Sequence, residues 1–100
     1  APLLFEAIAA EALKRLAAFN AQNLANTAWS YATADVSAPA LFKAIATDAV
    51  LKMASFNSQA LANTVWAYST AGVEAPLLYE ATAAEALQKM ETFNAQALSN

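Results

Sequence analysis

The chain has 100 residues and a formal net charge of −3, and it contains neither cysteine nor histidine. Disulfide bonds are therefore excluded, as are zinc sites built from Cys and His and catalytic triads that need histidine. The acidic balance disfavours binding to polyanions through bulk charge, because phosphate neutralisation normally needs clustered Lys and Arg. We expect no DNA partner and no cofactor. We also expect no membrane span, because polar residues interrupt every long apolar run.

A 37-residue repeat organises the chain. Phe-Asn occurs three times at this step, Leu-Ala-Asn-Thr-x-Trp occurs twice and Ala-Pro three times, always at equivalent places. A fixed period of this size is typical of stacked repeats in which each unit contacts mainly its neighbours. We divide the single segment 1–100 into a partial repeat at 1–18, repeats at 19–55 and 56–92, and the start of a further repeat at 93–100.

Each repeat is predicted to contain two helices, here termed helix A and helix B. In chain order the predicted helices cover 2–17 (B), 20–34 (A), 39–54 (B), 57–71 (A) and 76–91 (B), and a further helix A begins at 94. Every helix B begins at a proline, which fits the first turn because its missing amide is not needed there. Short connections then require consecutive helices to pack antiparallel.

The ends of helix A have recognisable signals. Asn20 is the predicted N-cap of the first, with Phe19 and Leu24 spaced as a hydrophobic staple around it. The same device recurs 37 and 74 residues later. Gly72 suits the left-handed residue that ends the second helix A, whereas Asp35 is less suited to that role in the first.

Helix B carries an apolar stripe at helical spacing. In the complete copy the stripe is Phe42, Ile45, Ala49 and Met53, and in the first copy it is Leu4, Phe5, Ile8, Ala12 and Leu16. Together with the repeat, the stripe predicts an all-α fold, a right-handed α-solenoid of antiparallel helix pairs.

Charged pairs repeat along helix B as well. An acid precedes a base by four residues in each copy: Glu11 and Arg15, Asp48 and Lys52, and Glu85 and Lys89. One interpretation is a basic row that follows a phosphate backbone. The interpretation that we favour is a solvated outer face with internally paired charges, because every base has an acid beside it.

Helix A has an uncharged polar side. Side-chain amides carry donors and an acceptor, so they can read the edges of unpaired bases, and neighbouring aromatic rings can stack on their faces. The alternative is an internal row, with the asparagines bonded to the next helix and the tryptophans filling space between units. The amide candidates for RNA binding are Gln22, Asn23, Asn26, Gln59, Asn63, Gln96 and Asn100.

Positions that differ between otherwise similar repeats are the better candidates for base discrimination, since an invariant residue cannot distinguish one base from another. Asn23 is replaced by Ala60 in the second repeat, and Ser30 is replaced by Ala67. Surface variation without function is the competing explanation.

The strings FNAQNLANTAW at 19–29 and FNSQALANTVW at 56–66, each followed by an Ala-Pro step, resemble the octotricopeptide and heptatricopeptide repeat families over essentially the whole chain. The resemblance implies a helical-repeat protein, not an enzyme, that binds single-stranded RNA in a chloroplast or mitochondrion and acts in RNA stability, processing or translation. Asn23, Asn26, Ala60 and Asn63 would then face the RNA.

A protein-interaction scaffold, an architectural subunit of a large organellar complex, is the alternative function. Neither end of the repeat array has an evident polar cap, although solenoids need such caps. We therefore expect either an excerpt from a longer array or ends that pack against other protein subunits.

Overall fold

The computed structural model describes the backbone of residues 2–99 and the side chains of residues 3–90. Within this part the chain is all-α: it forms five α-helices and no strand. The helices are α1 (Pro2–Arg15), α2 (Ala21–Thr33), α3 (Pro39–Leu51), α4 (Ser58–Ala71) and α5 (Pro76–Ser99). Single 3₁₀ turns at Leu16–Ala18 and Met53–Ser55 follow α1 and α3, so helix B is a shorter α-helix than predicted in both units.

The predicted N-caps of α2 and α4 are confirmed. Asn20 has extended backbone angles, and its side chain accepts a hydrogen bond from the Asn23 amide at 2.8 Å. Asn57 accepts from the Ala60 amide at 2.8 Å. Each bond satisfies one of the free amides in the first turn, which explains why both helices begin one residue after an asparagine.

The two helices A also end at equivalent left-handed residues. Gly72 has φ of 68° after α4, as predicted, and Asp35 has φ of 56° after α2. The next amide, of Val36 or Val73, donates back to the carbonyl oxygen five residues earlier. This pattern closes the helix and turns the chain toward the following proline.

Consecutive helices pack antiparallel through one contact that is repeated 37 residues later. The Tyr31 hydroxyl donates to the carbonyl oxygen of Phe5, and the rings meet edge to face with centroids 5.2 Å apart. Tyr68 makes the same bond to Phe42, with ring centroids 4.9 Å apart. Burial raises the pKa of the Tyr68 phenol, because the ionised form would lose its hydration.

The core lies between the helix pairs. The predicted stripe on α3 is confirmed, since Phe42, Ile45, Ala49 and Met53 are all buried. The stripe on α1 is only partly buried: Ala12 and Leu16 are in the core, but Leu4 and Ile8 are exposed. The reason is that α3 packs between α1 and α5, whereas α1 packs against α3 on one side only within the described residues.

All three predicted ion pairs on helix B form. The nitrogen–oxygen distances are 3.2 Å for Arg15–Glu11, 2.8 Å for Lys52–Asp48 and 2.7 Å for Lys89–Glu85. The side chains of the first pair are 70 % and 52 % exposed, whereas those of the other two pairs are only 14 % to 31 % exposed. The expected solvated outer face is therefore wrong for the second and third pairs. Lys52 also donates to the carbonyl oxygens of Ala17 and Phe19, at 3.2 and 2.6 Å, and so ties the end of α3 to the turn after α1.

The break predicted near the third Phe-Asn does not occur, because α5 continues as one helix from Pro76 to Ser99. In the first two copies burial offsets the free-energy cost of interrupting the helix, because the helix after the turn packs between its neighbours. No following repeat is present within residues 2–99 to provide such burial. None of the described helices is both long and apolar enough to cross a membrane.

Candidate nucleic-acid interface

Helices α2 and α4 lie side by side and parallel, and they form the closest helix–helix contact of the described chain. Buried alanines of α2 (Ala21, Ala25, Ala28 and Ala32) make this approach possible. Neither helix contains a charged residue: every Lys and Arg of the chain belongs to α1, α3, α5 or their immediate ends. The joint surface of α2 and α4 is therefore polar but electrically neutral.

Four amide side chains meet at this surface. Gln22 and Asn26 of α2 face Gln59 and Asn63 of α4 across a small cleft of about 80 Å³. Asn63 is half-buried and the other three are exposed. None of the four makes a side-chain hydrogen bond to another described residue, so the predicted alternative, in which Asn26 and Asn63 bond the neighbouring helix, is not what the structure contains. Their donors and acceptors face solvent and are available to a ligand.

A tryptophan pair lies one helical turn further along the same surface. The ring centroids of Trp29 and Trp66 are 6.2 Å apart and their planes are inclined by 34°. The residues remain 43 % and 46 % exposed, which is unusual for such large apolar side chains. The pair does fill space between the two repeats, as the alternative interpretation expected, but it also presents aromatic surface to solvent beside the amide cleft. Exposed rings of this kind are where nucleobases stack.

Asn23 and Ser30, predicted to discriminate bases, are exposed but do not line the amide cleft. The Asn23 side-chain oxygen accepts a hydrogen bond from the Asn20 amide at 3.0 Å and completes a capping box. Asn23 thus has a structural role at the start of α2 that was not predicted from the sequence.

Ala60 and Ala67 were expected on the exposed polar face, and this placement is wrong. Ala60 is 6 % exposed and Ala67 is fully buried, because the side of α4 that carries them packs against the preceding repeat. Ala60 forms part of the floor of the amide cleft, where it contributes shape but no hydrogen-bonding group. The predictions for Gln96 and Asn100 fall outside the residues whose side chains the structure describes.

The contact between the two tryptophans was not predicted, although their 37-residue spacing indicates it. Residues 37 apart occupy equivalent positions on neighbouring parallel helices, so Trp29 and Trp66 had to lie at the same height. The described residues also contain no group of three His, Cys, Asp or Glu side chains able to hold a metal ion. Comparison with protein-family models, with curated proteins and with solved structures found no match in any of the three.

Proposed function

We propose that this chain is a segment of a right-handed α-solenoid that binds single-stranded RNA on the joint surface of α2 and α4. The proposal includes sequence selectivity and a role in organellar RNA stability, processing or translation, and the organellar part rests on the family resemblance alone. The observation that carries the proposal is the set of four unpaired amides, Gln22, Asn26, Gln59 and Asn63, beside the exposed Trp29–Trp66 pair.

The chemistry of this surface favours bases over phosphates. An amide presents a donor and an acceptor side by side, which matches the edge of a base, and a base stacked on an aromatic ring contributes about 1–3 kcal/mol. Base edges and faces are both accessible only when the nucleotide is unpaired. We therefore expect single strands to bind and duplexes not to bind.

The neutrality of α2 and α4 leads to a second expectation. The nearest cations belong to helices B, and three of the five are engaged in ion pairs. Affinity for nucleic acids depends steeply on salt when lysines and arginines displace counterions from phosphates. With no cation on the binding surface, the affinity for RNA is expected to be nearly independent of salt concentration.

The test uses intrinsic fluorescence, because Trp29 and Trp66 are the two tryptophans of the chain. Single-stranded RNA oligonucleotides of the four homopolymer types are titrated into the protein at low and at physiological salt. Quenching by at least one single strand, without quenching by a duplex, is the expected result. Asn26→Ala combined with Asn63→Ala should weaken binding and change the ranking of the homopolymers.

Lys43→Ala provides the matched control, since Lys43 is exposed on α3 and outside the proposed surface. This variant should bind as the unmodified protein does. A loss of binding in Lys43→Ala that exceeds the loss in the double asparagine variant would indicate phosphate binding on helices B. Absence of quenching by every oligonucleotide at low salt would refute the proposal.

A scaffold function is the second candidate, and exposed apolar side chains on helices B favour it. Leu13, Val50 and Leu87 occupy equivalent positions, one per repeat, and are 41 %, 37 % and 60 % exposed. They belong to α1, α3 and α5, not to the helices that carry the amides. Exposed apolar side chains that recur at the same place in each repeat are candidates for contact with a protein partner. Binding of a protein there would be compatible with RNA on α2 and α4.

A further inference from the structure

Two similar grooves lie between neighbouring helices B. The first has a volume of about 290 Å³ and is lined by residues of α1 and the start of α3. The second has a volume of about 590 Å³ and is lined by residues of α3 and the start of α5. All twelve residues that line the first groove recur 37 residues later among the thirteen that line the second. The groove is therefore a repeated feature of the array, and described helices bound each copy on both sides.

One position of the groove wall changes its charge from repeat to repeat. Glu6 lines the first groove, Lys43 lines the second, and Glu80 has the equivalent place on α5. All three side chains are exposed, and none forms a hydrogen bond or an ion pair with another described residue. Three neighbouring helices B thus present an acid, a base and an acid in order, and these charges are available to a partner.

A second carboxylate strengthens this order at the larger groove. Glu74 lines the groove from the turn before α5, opposite Lys43 of α3, and it too is exposed and forms no ion pair with another described residue. The α3 side of the groove is therefore basic and the α5 side is acidic.

The spacing of helices B indicates which backbone conformation matches the charges. Packed helices lie about 8–10 Å apart, and α3 packs against both α1 and α5. In a polyproline II segment every third residue lies on the same side, about 9 Å from the one before. Same-side residues of a β-strand are about 6.6 or 13 Å apart and do not match. An α-helical partner needs a continuous apolar stripe, which the charges on this surface interrupt.

We propose that the two grooves and the charged row Glu6, Lys43 and Glu80 bind an extended, proline-containing segment of another protein. Its charged residues follow the order base, acid, base at every third position, and apolar residues between them enter the grooves. The proposal rests on the scaffold function, since Leu13 and Val50, which favour that function, line the two grooves. Exposed ion pairs are weak individually, so their order provides specificity and the apolar contacts provide affinity.

The test uses labelled peptides, the full 100-residue chain and fluorescence anisotropy. The peptide RPAEPARP has the proposed order of charges, which is the same when read from either end. The control RPARPAEP has the same composition and net charge in the wrong order. At physiological salt, where charges more than about 8 Å apart are screened, RPAEPARP should bind at least about fivefold more tightly than the control.

A charge reversal in the chain localises the binding. Lys43→Glu makes the row entirely acidic, so it should shift the ratio of affinities for RPAEPARP and the all-basic peptide RPARPARP at least about fivefold toward the latter. Lys14→Glu is the matched control, because Lys14 is exposed on α1, lines neither groove and gives the same change of net charge. This variant should shift the ratio less than about twofold, and both variants should retain the circular dichroism of the unmodified chain.

Val50→Asp separates the failure of this proposal from the failure of the scaffold function. The substitution places a carboxylate in the second groove and should weaken the binding of RPAEPARP. Equal binding of RPAEPARP and RPARPAEP that is lost in Val50→Asp would refute the proposed charge order and leave the apolar contact of the scaffold function in place.

Three further outcomes would overturn the proposal. The first is no binding of RPAEPARP at concentrations up to about 1 mM. The second is an equal shift of the ratio in Lys43→Glu and Lys14→Glu. The third is a chain that self-associates in sedimentation experiments and loses this association with Lys43→Glu, which would assign the surface to a second copy. None of these results bears on RNA binding, because no residue of the two grooves lines the amide cleft.

Discussion

The repeats 19–55 and 56–92 have closely similar sequences, yet their first helices bury different sides. In α2 the side that faces the following repeat is buried, and the opposite side, with Asn23 and Ser30, is exposed. In α4 the relation is reversed: the side with Ala60 and Ala67 is buried against α2, and the side that faces forward lines an open groove.

The difference explains sequence changes that looked like candidates for base discrimination. Asn23 and Ser30 are exposed and polar, whereas their counterparts Ala60 and Ala67 are buried and small. The residue type at each position follows its burial. The differences between the repeats at these positions therefore reflect which side of each helix packs against a neighbour. The amides shared by both repeats remain the better candidates for RNA contact.

The largest difference in stability between the two repeats is expected when the phenylalanine before helix A is replaced. Phe56 is fully buried, while its counterpart Phe19 is half-buried. Phe56→Ala should lower the free energy of unfolding by about 3–5 kcal/mol, because it leaves a cavity in the core. Phe19→Ala should cost about 1–2 kcal/mol, in proportion to its smaller buried area. Urea denaturation followed by circular dichroism measures both, and equal losses would contradict the burial pattern.

The second-largest difference in stability is expected between a polar substitution at the buried Ala67 and one at its exposed counterpart Ser30. Ala67→Asn should destabilise the chain by about 2–3 kcal/mol, because the larger side chain must fit between α2 and α4 and its amide lacks partners there. Ser30→Asn, at the equivalent exposed position, should change stability by no more than about 0.5 kcal/mol. Thermal unfolding of the two variants checks this. If Ser30→Asn were the more damaging, the assignment of the two sides would be wrong.

The smallest difference in stability is expected when the lysine at the end of helix B is replaced. Lys52 binds two backbone carbonyl oxygens of the preceding turn in addition to Asp48, whereas Lys89 pairs with Glu85. Lys52→Met should therefore cost about 2 kcal/mol, since hydrogen bonds from a charged donor are the stronger ones. Lys89→Met should cost about 1 kcal/mol or less. Chemical denaturation of both variants in the same buffer distinguishes them, and similar losses would show that the carbonyl contacts contribute nothing.

Local features of the fold could be predicted from the sequence because they depend on neighbouring residues. Asn20 and Asn57 as caps, prolines at helix starts and Gly72 at a helix end all act within one or two turns of the chain. The continuation of α5 past residue 93 could not be predicted in this way. A Phe-Asn string breaks a helix only where burial of the following segment offsets the cost, and burial is a tertiary property.

The candidate site, too, could be predicted only where neighbouring residues in the chain determine it. Helical spacing placed the four amides on one side of helix A correctly, but it also placed Ala60 and Ala67 there, because a single helix does not reveal which edge of its polar side a neighbour covers. The contact between Trp29 and Trp66 depends on the parallel alignment of two repeats, and spacing within one helix contains no information on it.

The tyrosine contact of the helix pairs has a consequence for how such a chain can change over generations. Tyr31 reaches back 26 residues to Phe5, and Tyr68 reaches back the same distance to Phe42. Each contact lies within one 37-residue window and is copied whole when a window is duplicated. Duplication of a window that contains Ala60 and Ala67 would thus lengthen the array with its tyrosine contact and its buried alanines intact. Each inserted window would bring two further amides and one further indole to the same side.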